Sequence, residues 1–420
     1  MLGINLSLLV LLMVIGVPIF AAFIGISLLS GISVFGIPPA VIITQMVSMV
    51  NSYILLALPM FLLAGFLMTE SGSSGYLVDF FEALLGHLRG GLALALIVSV
   101  GFFSAFSGST LAAIVAIGSI MLPRMKAAGY SPGFSAGLLS VASIDIIPPS
   151  NFFILYCAVT ETSVGQVFAA GIVPGILLLL ALVVASIILP QGRITTGKFD
   201  WGRLKRATIK ALPVLGMPVL ILGTIFSGVL TAVEAGAMAS LYIVVIDVIF
   251  YHGLKWSKFW AAAKQTVTNT AMIYMLLAGI GAIVTIFQYT GLPTRLANIA
   301  KEAGSLPGFI VLFVLVAAIL GMFLDAVPTL YILAIMLFTT ARTLGFDPVH
   351  FGVFLCMAAL MGMATPPMAI GLYTSSAVAQ ISPHKAVPYG LYFVGVGFLV
   401  SLLVGFFPDL SMWAVRLIYG

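Results

Sequence analysis

Charge is the scarcest thing in this sequence. Only 7% of its 420 residues are Asp, Glu, Lys or Arg, while 62% are hydrophobic and the mean hydropathy is +1.25. A water-soluble chain carries roughly 25% charged residues, so a fold solvated on every side is excluded and lipid must face most of the surface. Cysteine is nearly absent too. Cys157 and Cys356 both sit in apolar stretches, which leaves no disulfide framework and marks both as inert packing residues. No Walker motif is present, so ATP does not drive this chain directly. His87, His252 and His384 look peripheral, and His350 follows the Asp347-Pro348 turn and reads as a loop or capping residue. No metal-ligand spacing links the four. No nucleophile stands beside a base, which leaves an intramembrane enzyme as the weakest reading. The residues Met1 to Asn5 lack the basic segment of a cleaved signal peptide, so the first apolar stretch is expected to remain in the mature protein.

What is present is a series of long apolar runs, over about residues 4–35, 38–68, 90–122, 134–158, 166–190, 211–251, 265–290, 308–338, 350–375 and 386–408. At about 20 residues per crossing they give an all-α polytopic membrane protein. Strand-like alternation is absent, and in lipid the backbone must bond internally. Several runs are too long for one straight crossing or carry internal Gly and Pro, which points to hairpins and broken helices. The net charge of +5 is no nucleic-acid footprint. Six of the 17 basic residues fall between Arg193 and Lys210, and a second basic stretch, Lys255 to Lys264, contains Trp256 and Trp260. About two crossings separate these stretches, so both emerge on one side, which the positive-inside rule makes cytoplasmic. The expected organisation is an N-terminal half (1–190), a basic cytoplasmic linker (191–210) and a C-terminal half (211–420).

The halves repeat at an offset near 218. Leu62-Leu63-Ala64-Gly65 recurs as Leu276-Leu277-Ala278-Gly279, and Ser71-Gly72 as Thr290-Gly291. Gly86 answers Gly304, Gly129-Tyr130-Ser131-Pro132 answers Gly345-Phe346-Asp347-Pro348, and Pro148-Pro149 answers Pro366-Pro367. Such halves are the pattern of secondary transporters, whose sites lie at mid-membrane on discontinuous helices at matching positions. Each double proline removes two N–H donors and breaks its helix, freeing the carbonyls before it and starting a new half-helix after it. Freed carbonyls can ligate a cation, and the positive end of a half-helix can face an anion. Two polar clusters lie at membrane depth at matching positions: Phe103 to Thr110, with four hydroxyls and a glycine, and Gly321 to Thr329, with Asp325. Intramembrane acids are functional by default, and Asp145 and Asp325 stand nearest these features. Glu161, Glu234 and Asp247 read as interfacial.

Together these segments resemble the large membrane subunit of tripartite ATP-independent periplasmic (TRAP) transporters. Repeat one matches through Ser107-Gly108-Ser109, Gly118 to Pro123, Gly129-Tyr130, Ile146 to Ser150 and Ala170 to Gly175. Repeat two matches through Gly321 to Asp325, Gly345 to Gly352 and Gly362 to Pro367, and Gly16-Val17-Pro18 and Leu58 to Gly65 fit as well. The resemblance implies two inverted repeats with hairpins and broken helices, the elevator type of the ion transporter superfamily, in a bacterial cytoplasmic (inner) membrane. It further implies sodium coupling, a small four-helix membrane subunit, and a periplasmic binding protein delivering a small organic acid such as a carboxylate or a sialic-acid-like anion. Carried over by motif, one sodium site would use Ser107, Ser109, Ile147 and Pro149, with Asp145 as an added ligand or a proton site. The other would use Asp325, Thr329, Gly362, Thr365 and Pro367. Ser104, Ser150, Asn151 and Asp325 are assigned to the solute. The sequence departs from the family at Ile144, where glycine is usual four residues before the first double proline, and at Glu161, where a small residue is usual. A stand-alone sodium- or proton-coupled carboxylate carrier is the alternative. The small subunit is expected to be a separate chain, because no extra helices precede the large-subunit pattern.

Overall fold

The computed structural model describes residues 7–9, 11–12, 15–189, 198–302 and 306–420. Residues 190–197 of the basic stretch and Gly304, the repeat partner of Gly86, lie outside them. In chain order the helices are α1 (Ile19–Ser33), α2 (Pro39–Val50), α3 (Ala57–Ser71), α4 (Ser74–Leu85), α5 (Gly91–Ser107), α6 (Thr110–Ala127), α7 (Pro132–Ala142), α8 (Asn151–Thr160) and α9 (Val164–Ile188). They continue as α10 (Trp201–Phe226), α11 (Ala232–Ile246), α12 (Trp256–Tyr289), α13 (Leu292–Glu302), α14 (Leu306–Phe323), α15 (Ala326–Thr343), α16 (Pro348–Met363), α17 (Ile370–Val378), α18 (Val387–Phe406) and α19 (Asp409–Tyr419). Among the described residues nine helical segments are long and apolar enough to cross a membrane.

The sequence repeat is a repeat of structure. Helices α3 and α4, the hairpin α5–α6, the interrupted pair α7–α8 and helix α9 reappear in the same order as α12 and α13, α14–α15, α16–α17 and α18. The matching turns agree in backbone as well. Gly72 and Gly291 close their helices at φ 80 and 68, and Gly129 and Gly345 both take φ 91, a left-handed conformation open to glycine at no steric cost. Each hairpin enters and returns on one side, so each repeat crosses three times, through its first helix, its interrupted pair and its last helix. An odd count inverts the second repeat relative to the first.

The two ends of the molecule differ in chemistry. At one end Arg124, closing α6, meets Asp79 and Glu82 of α4 at 2.8 and 2.6 Å, and Arg203 of α10 meets Glu82 at 2.5 Å. At the other end Tyr53, Gly165, Leu230 and Tyr419 line a shared cleft. The first end carries the basic stretches, the feature from which the charge rule predicts a cytoplasmic face. Burial alone would raise the Glu82 pKa, but its bonds to Arg203 and Arg124 outweigh that and hold it below the ordinary 4.5. The stabilisation is therefore present above 4.5 and lost as the pH falls through the lower folded value. Glu82→Gln is expected to cost about 1 kcal/mol, the scale of a partly exposed pair. In detergent melts the gap from the parent should be full at pH 7 and vanish in acid; a gap persisting in acid would refute an ionic origin.

Local chemistry explains several boundaries. Helix α10 starts at Trp201, inside the stretch read as linker, because Asp200 Oδ1 accepts the Gly202 and Arg203 amides at 2.7 and 3.2 Å. Glu234 forms a capping box with Thr231, Asp247 accepts the Gly253 and Leu254 amides, and Glu161 ends α8 at φ 57. All three acids thus have structural roles. His350 is not a loop residue: it lies in the first turn of α16, buried, with Nδ1 3.1 Å from Ser411 Oγ of α19. The capping role belongs to Asp347, which accepts from the Val349 and His350 amides. Cys157 and Cys356 are free and buried.

Candidate functional site

Each repeat brings a hairpin tip against a helix break. In repeat one, α5 ends at Ser107, Gly108 turns the chain at φ 52, and Ser109 caps α6 by accepting the Ala112 amide at 3.3 Å. Ser107 Oγ sits 3.4 Å from both the amide and the carbonyl of Ser109, so both tip serines shape the turn. The facing helix stops at Ala142, and a turn and a run of bends lead through Pro148-Pro149 to Ser150, which caps α8 through the Phe152 amide. Asn151 Nδ2 donates to the Gly108 carbonyl at 3.1 Å, and Ser104 Oγ donates to the Ser143 carbonyl at 2.9 Å. These two bonds tie hairpin to break. Gly108 is required twice over: its φ is positive, and a Cβ there would lie 2.0 Å from Asn151 Nδ2.

Asp145 lies wholly buried inside this break. Its Oδ2 accepts the Asn151 amide at 3.1 Å, and its carbonyl accepts from Ser150 Oγ at 2.7 Å. Three buried side-chain oxygens here have no hydrogen-bond partner among the described residues: Asp145 Oδ1, Asn151 Oδ1 and Thr110 Oγ1. The Gly108 carbonyl requires the amide nitrogen of Asn151 to face it, which leaves the amide oxygen without a donor. Buried polar atoms are nearly always satisfied, and an all-oxygen set with one carboxylate is the donor chemistry a hard cation takes. A sodium ion therefore fits the residues at the first break. Ile147 is half-buried and packs toward Gly101 and Gly175, while Pro149 is buried beside Ser150.

Repeat two builds the same arrangement with different residues. Asp325 caps α15 through the Ala326 amide at 2.7 Å, the task Ser109 performs in the first repeat. Thr329, one turn on, is buried with Oγ1 unpartnered among the described residues. Hairpin and break meet here through close backbone approaches. A Cβ on Gly321 would lie 2.5 Å from Gly362 Cα, and the Met368 amide donates to the Met322 carbonyl at 3.3 Å. Thr365 Oγ1 donates to the Met361 carbonyl at 3.0 Å, and the Pro367 carbonyl accepts from Tyr373 OH at 2.9 Å. Pro367 is exposed where its counterpart Pro149 is buried. The second break is the more open of the two and has fewer orphaned oxygens. Asp325, Thr329 and Thr365 keep spare lone pairs there, but no hydrogen bond joins the hairpin pair to Thr365 or Pro367.

The Ile144 departure has a physical account. In repeat two the helix runs to Met363, so position 362 lies in a helix–helix contact that only glycine fits. In repeat one the helix has already ended at Ala142, so Ile144 lies past that contact and needs no close backbone approach.

The half-helices after the breaks are exchanged between repeats. Helix α17 packs on α6 and α7, with Gly371 beside the Ser140 carbonyl and Thr110, while α8 packs on α15 and α16. Thr110 is the site residue not singled out from the sequence; its signal was the hydroxyl run that also holds Ser107 and Ser109. The Tyr373–Pro367 bond had no sequence signal.

The sequence pattern of the DctM component of tripartite ATP-independent periplasmic transporters matches residues 6–410. The C4-dicarboxylate TRAP transporter large permease protein DctM of Pseudomonas aeruginosa is 34% identical over 368 residues, 86% of each chain. The sialic acid TRAP transporter large permease protein SiaM of Vibrio cholerae is 32% identical over 381 residues, 90% of this chain and 89% of that one. The isethionate TRAP transporter permease protein DctMQ of Oleidesulfovibrio alaskensis is 31% identical over 410 residues, 96% of this chain but 64% of its own length. Among solved structures, the Alcanivorax borkumensis YdaH transporter superposes with a TM-score of 0.59 over 87% of this chain and 86% of that one. At 16% identity that likeness concerns the fold alone.

Proposed function

The chain belongs to the DctM family, the large permease component of tripartite ATP-independent periplasmic transporters, and on that premise we propose that it imports a small organic acid by sodium-coupled symport. Membership makes it a transport subunit and not an enzyme. In the proposal the halves 1–190 and 211–420 each supply one hairpin and one broken helix, and both move solute across a bacterial inner membrane. A periplasmic binding protein delivers the solute, and a small membrane subunit completes the complex. The C4-dicarboxylate and sialic acid relatives support an organic anion, and the DctMQ relative supports a small subunit that can be a separate or a fused chain.

The observation that carries the reading is that three buried oxygens on the segments meeting at the first break, Asp145 Oδ1, Asn151 Oδ1 and Thr110 Oγ1, have no hydrogen-bond partner among the described residues. A bound sodium ion would supply positive charge at the end of the hairpin tip, neutralise Asp145, and let an anionic solute approach. The chain's own part is to hold those oxygens dry, through Asn151 on Gly108 and Ser104 on Ser143. At the second break Asp325, Thr329, Gly362, Thr365 and Pro367 would do the same for a second ion. Ser104, Ser150, Asn151 and Asp325 lie nearest the solute in this reading.

The test is uptake into proteoliposomes with the small subunit and binding protein present. We expect accumulation with an inward sodium gradient and none from ATP. Sodium-independent uptake at fixed membrane potential would falsify sodium coupling, and uptake that then follows a proton gradient would assign Asp145 to the proton. Full uptake without any binding protein would instead identify a stand-alone carrier.

A further inference from the structure

We infer that a cytoplasmic-side cleft between α4 and α10 binds the headgroup of an anionic phospholipid. Tyr76 and Asp79 of α4 and Arg203, Arg206, Ala207 and Lys210 of α10 line this cleft, which has a volume of about 240 Å³. The spacing of the three cations, at i, i+3 and i+7, puts them on one face of the helix. Their charges are not equally spent. Arg203 is held by Glu82, and the Asp79 carboxylate is held by Arg124 at 2.8 Å. Arg206 and Lys210 form no ion pair among the described residues, so two positive charges face the cleft unbalanced.

The wall is preformed. Tyr76 stacks on Tyr251 with ring centroids 4.6 Å apart, and Tyr251 OH donates to the Lys210 carbonyl at 2.7 Å. A cavity whose lining is already fixed loses little entropy on filling. Position in the membrane selects the ligand. Trp201, 74% exposed, opens α10 at the depth where tryptophan marks the interface. Ile209 and Leu212, both more than 60% exposed, follow directly on the helix. Cations line the cleft and bare apolar side chains lie on the neighbouring faces of the same stretch of α10, so a phosphate held there has apolar surface close by. Anionic lipid in the cytoplasmic leaflet supplies that charge at high local concentration. The site lies away from both breaks, so it does not depend on the transport reading.

The test uses the purified full chain in neutral detergent, with native mass spectrometry and thermal melts against dioleoyl phosphatidylglycerol and dioleoyl phosphatidylcholine. Phosphatidylglycerol should bind and raise the melting temperature; phosphatidylcholine should do neither. Arg206→Gln with Lys210→Gln should weaken phosphatidylglycerol binding roughly thirty-fold, at about 1 kcal/mol for each basic side chain and 1.4 kcal/mol for each tenfold. Its melt in phosphatidylcholine should match the parent. Lys210→Gln alone carries the test if the double variant is not recovered. Equal response to the two lipids, or unchanged phosphatidylglycerol binding in the variant, would assign the cations to membrane orientation and overturn the site. Equal stabilisation by inorganic phosphate would overturn the lipid as its source. Protection of Lys210 from amine labelling by the small subunit, and not by lipid, would overturn it in favour of a protein contact.

Discussion

Asp145→Asn is expected to raise the sodium concentration for half-maximal uptake roughly ten- to hundredfold while the protein still folds. The substitution preserves shape, and the Asn151 amide keeps an acceptor in the new side chain's oxygen. What changes is the other end. The unpartnered Oδ1 becomes an NH2 group, which donates and cannot ligate a cation. A contact to a charged group is worth about 1.5–3 kcal/mol, which sets the expected range. Apparent affinity for solute should change much less. The measurement is sodium-dependent uptake alongside folded yield in the membrane. An unchanged sodium curve with a normal maximal rate would remove Asp145 from the mechanism.

A larger effect is expected from a single methyl at the second break. Gly362→Ala would put its Cβ 2.5 Å from the Ala317 carbonyl oxygen and 3.1 Å from Gly321 Cα. Gly321→Ala would put one 2.5 Å from the Gly362 backbone. The obstacles are main-chain atoms, so no rotamer change relieves them, and α14 must separate from α16. Overpacking of this kind costs about 1–3 kcal/mol and sometimes more. Either variant should lower the melting temperature by several degrees and abolish uptake, because the hairpin no longer closes on the break. Ile144→Ala, at the equivalent position of repeat one, should leave this contact untouched. Normal uptake and an unchanged melt for Gly362→Ala would show that the two helices are not in backbone contact in the working protein.

Much of this architecture was legible because breaks announce themselves. Proline pairs, hydroxyl runs and left-handed glycines are local chemistry, so Pro148-Pro149, Ser107 to Ser109, and Gly129 with Gly345 located both breaks, one hairpin tip and the repeat. The residues at Asp145 and Asp325 stood out for their charge against an apolar background. The division of labour among them did not. Asp325 spends one oxygen capping α15, Ser109 caps α6, and the Pro367 carbonyl is taken by Tyr373, none of which residue type alone reveals. The helix-to-helix packing was illegible for a different reason. Where lipid lies on one side and protein on the other, both select the same apolar residues. The faces of α9 and α18 that meet protein therefore look like those left bare, and the exchange of α8 and α17 between repeats left no pattern.

That exchange sets an order of events during synthesis. The first break is finished long before its cover exists, since Tyr156 of α8 closes on the Pro348 carbonyl 192 residues later in the chain. At about 5–20 residues per second, the ribosome needs roughly ten to forty seconds to deliver α15 and α16. Throughout that interval the segment holding Asp145 and Asn151 has entered the membrane without the helices that later enclose it. A nascent chain stalled after α9 therefore presents Asp145 and Asn151, both buried in the finished fold, to the insertion machinery before α15 and α16 exist to enclose them.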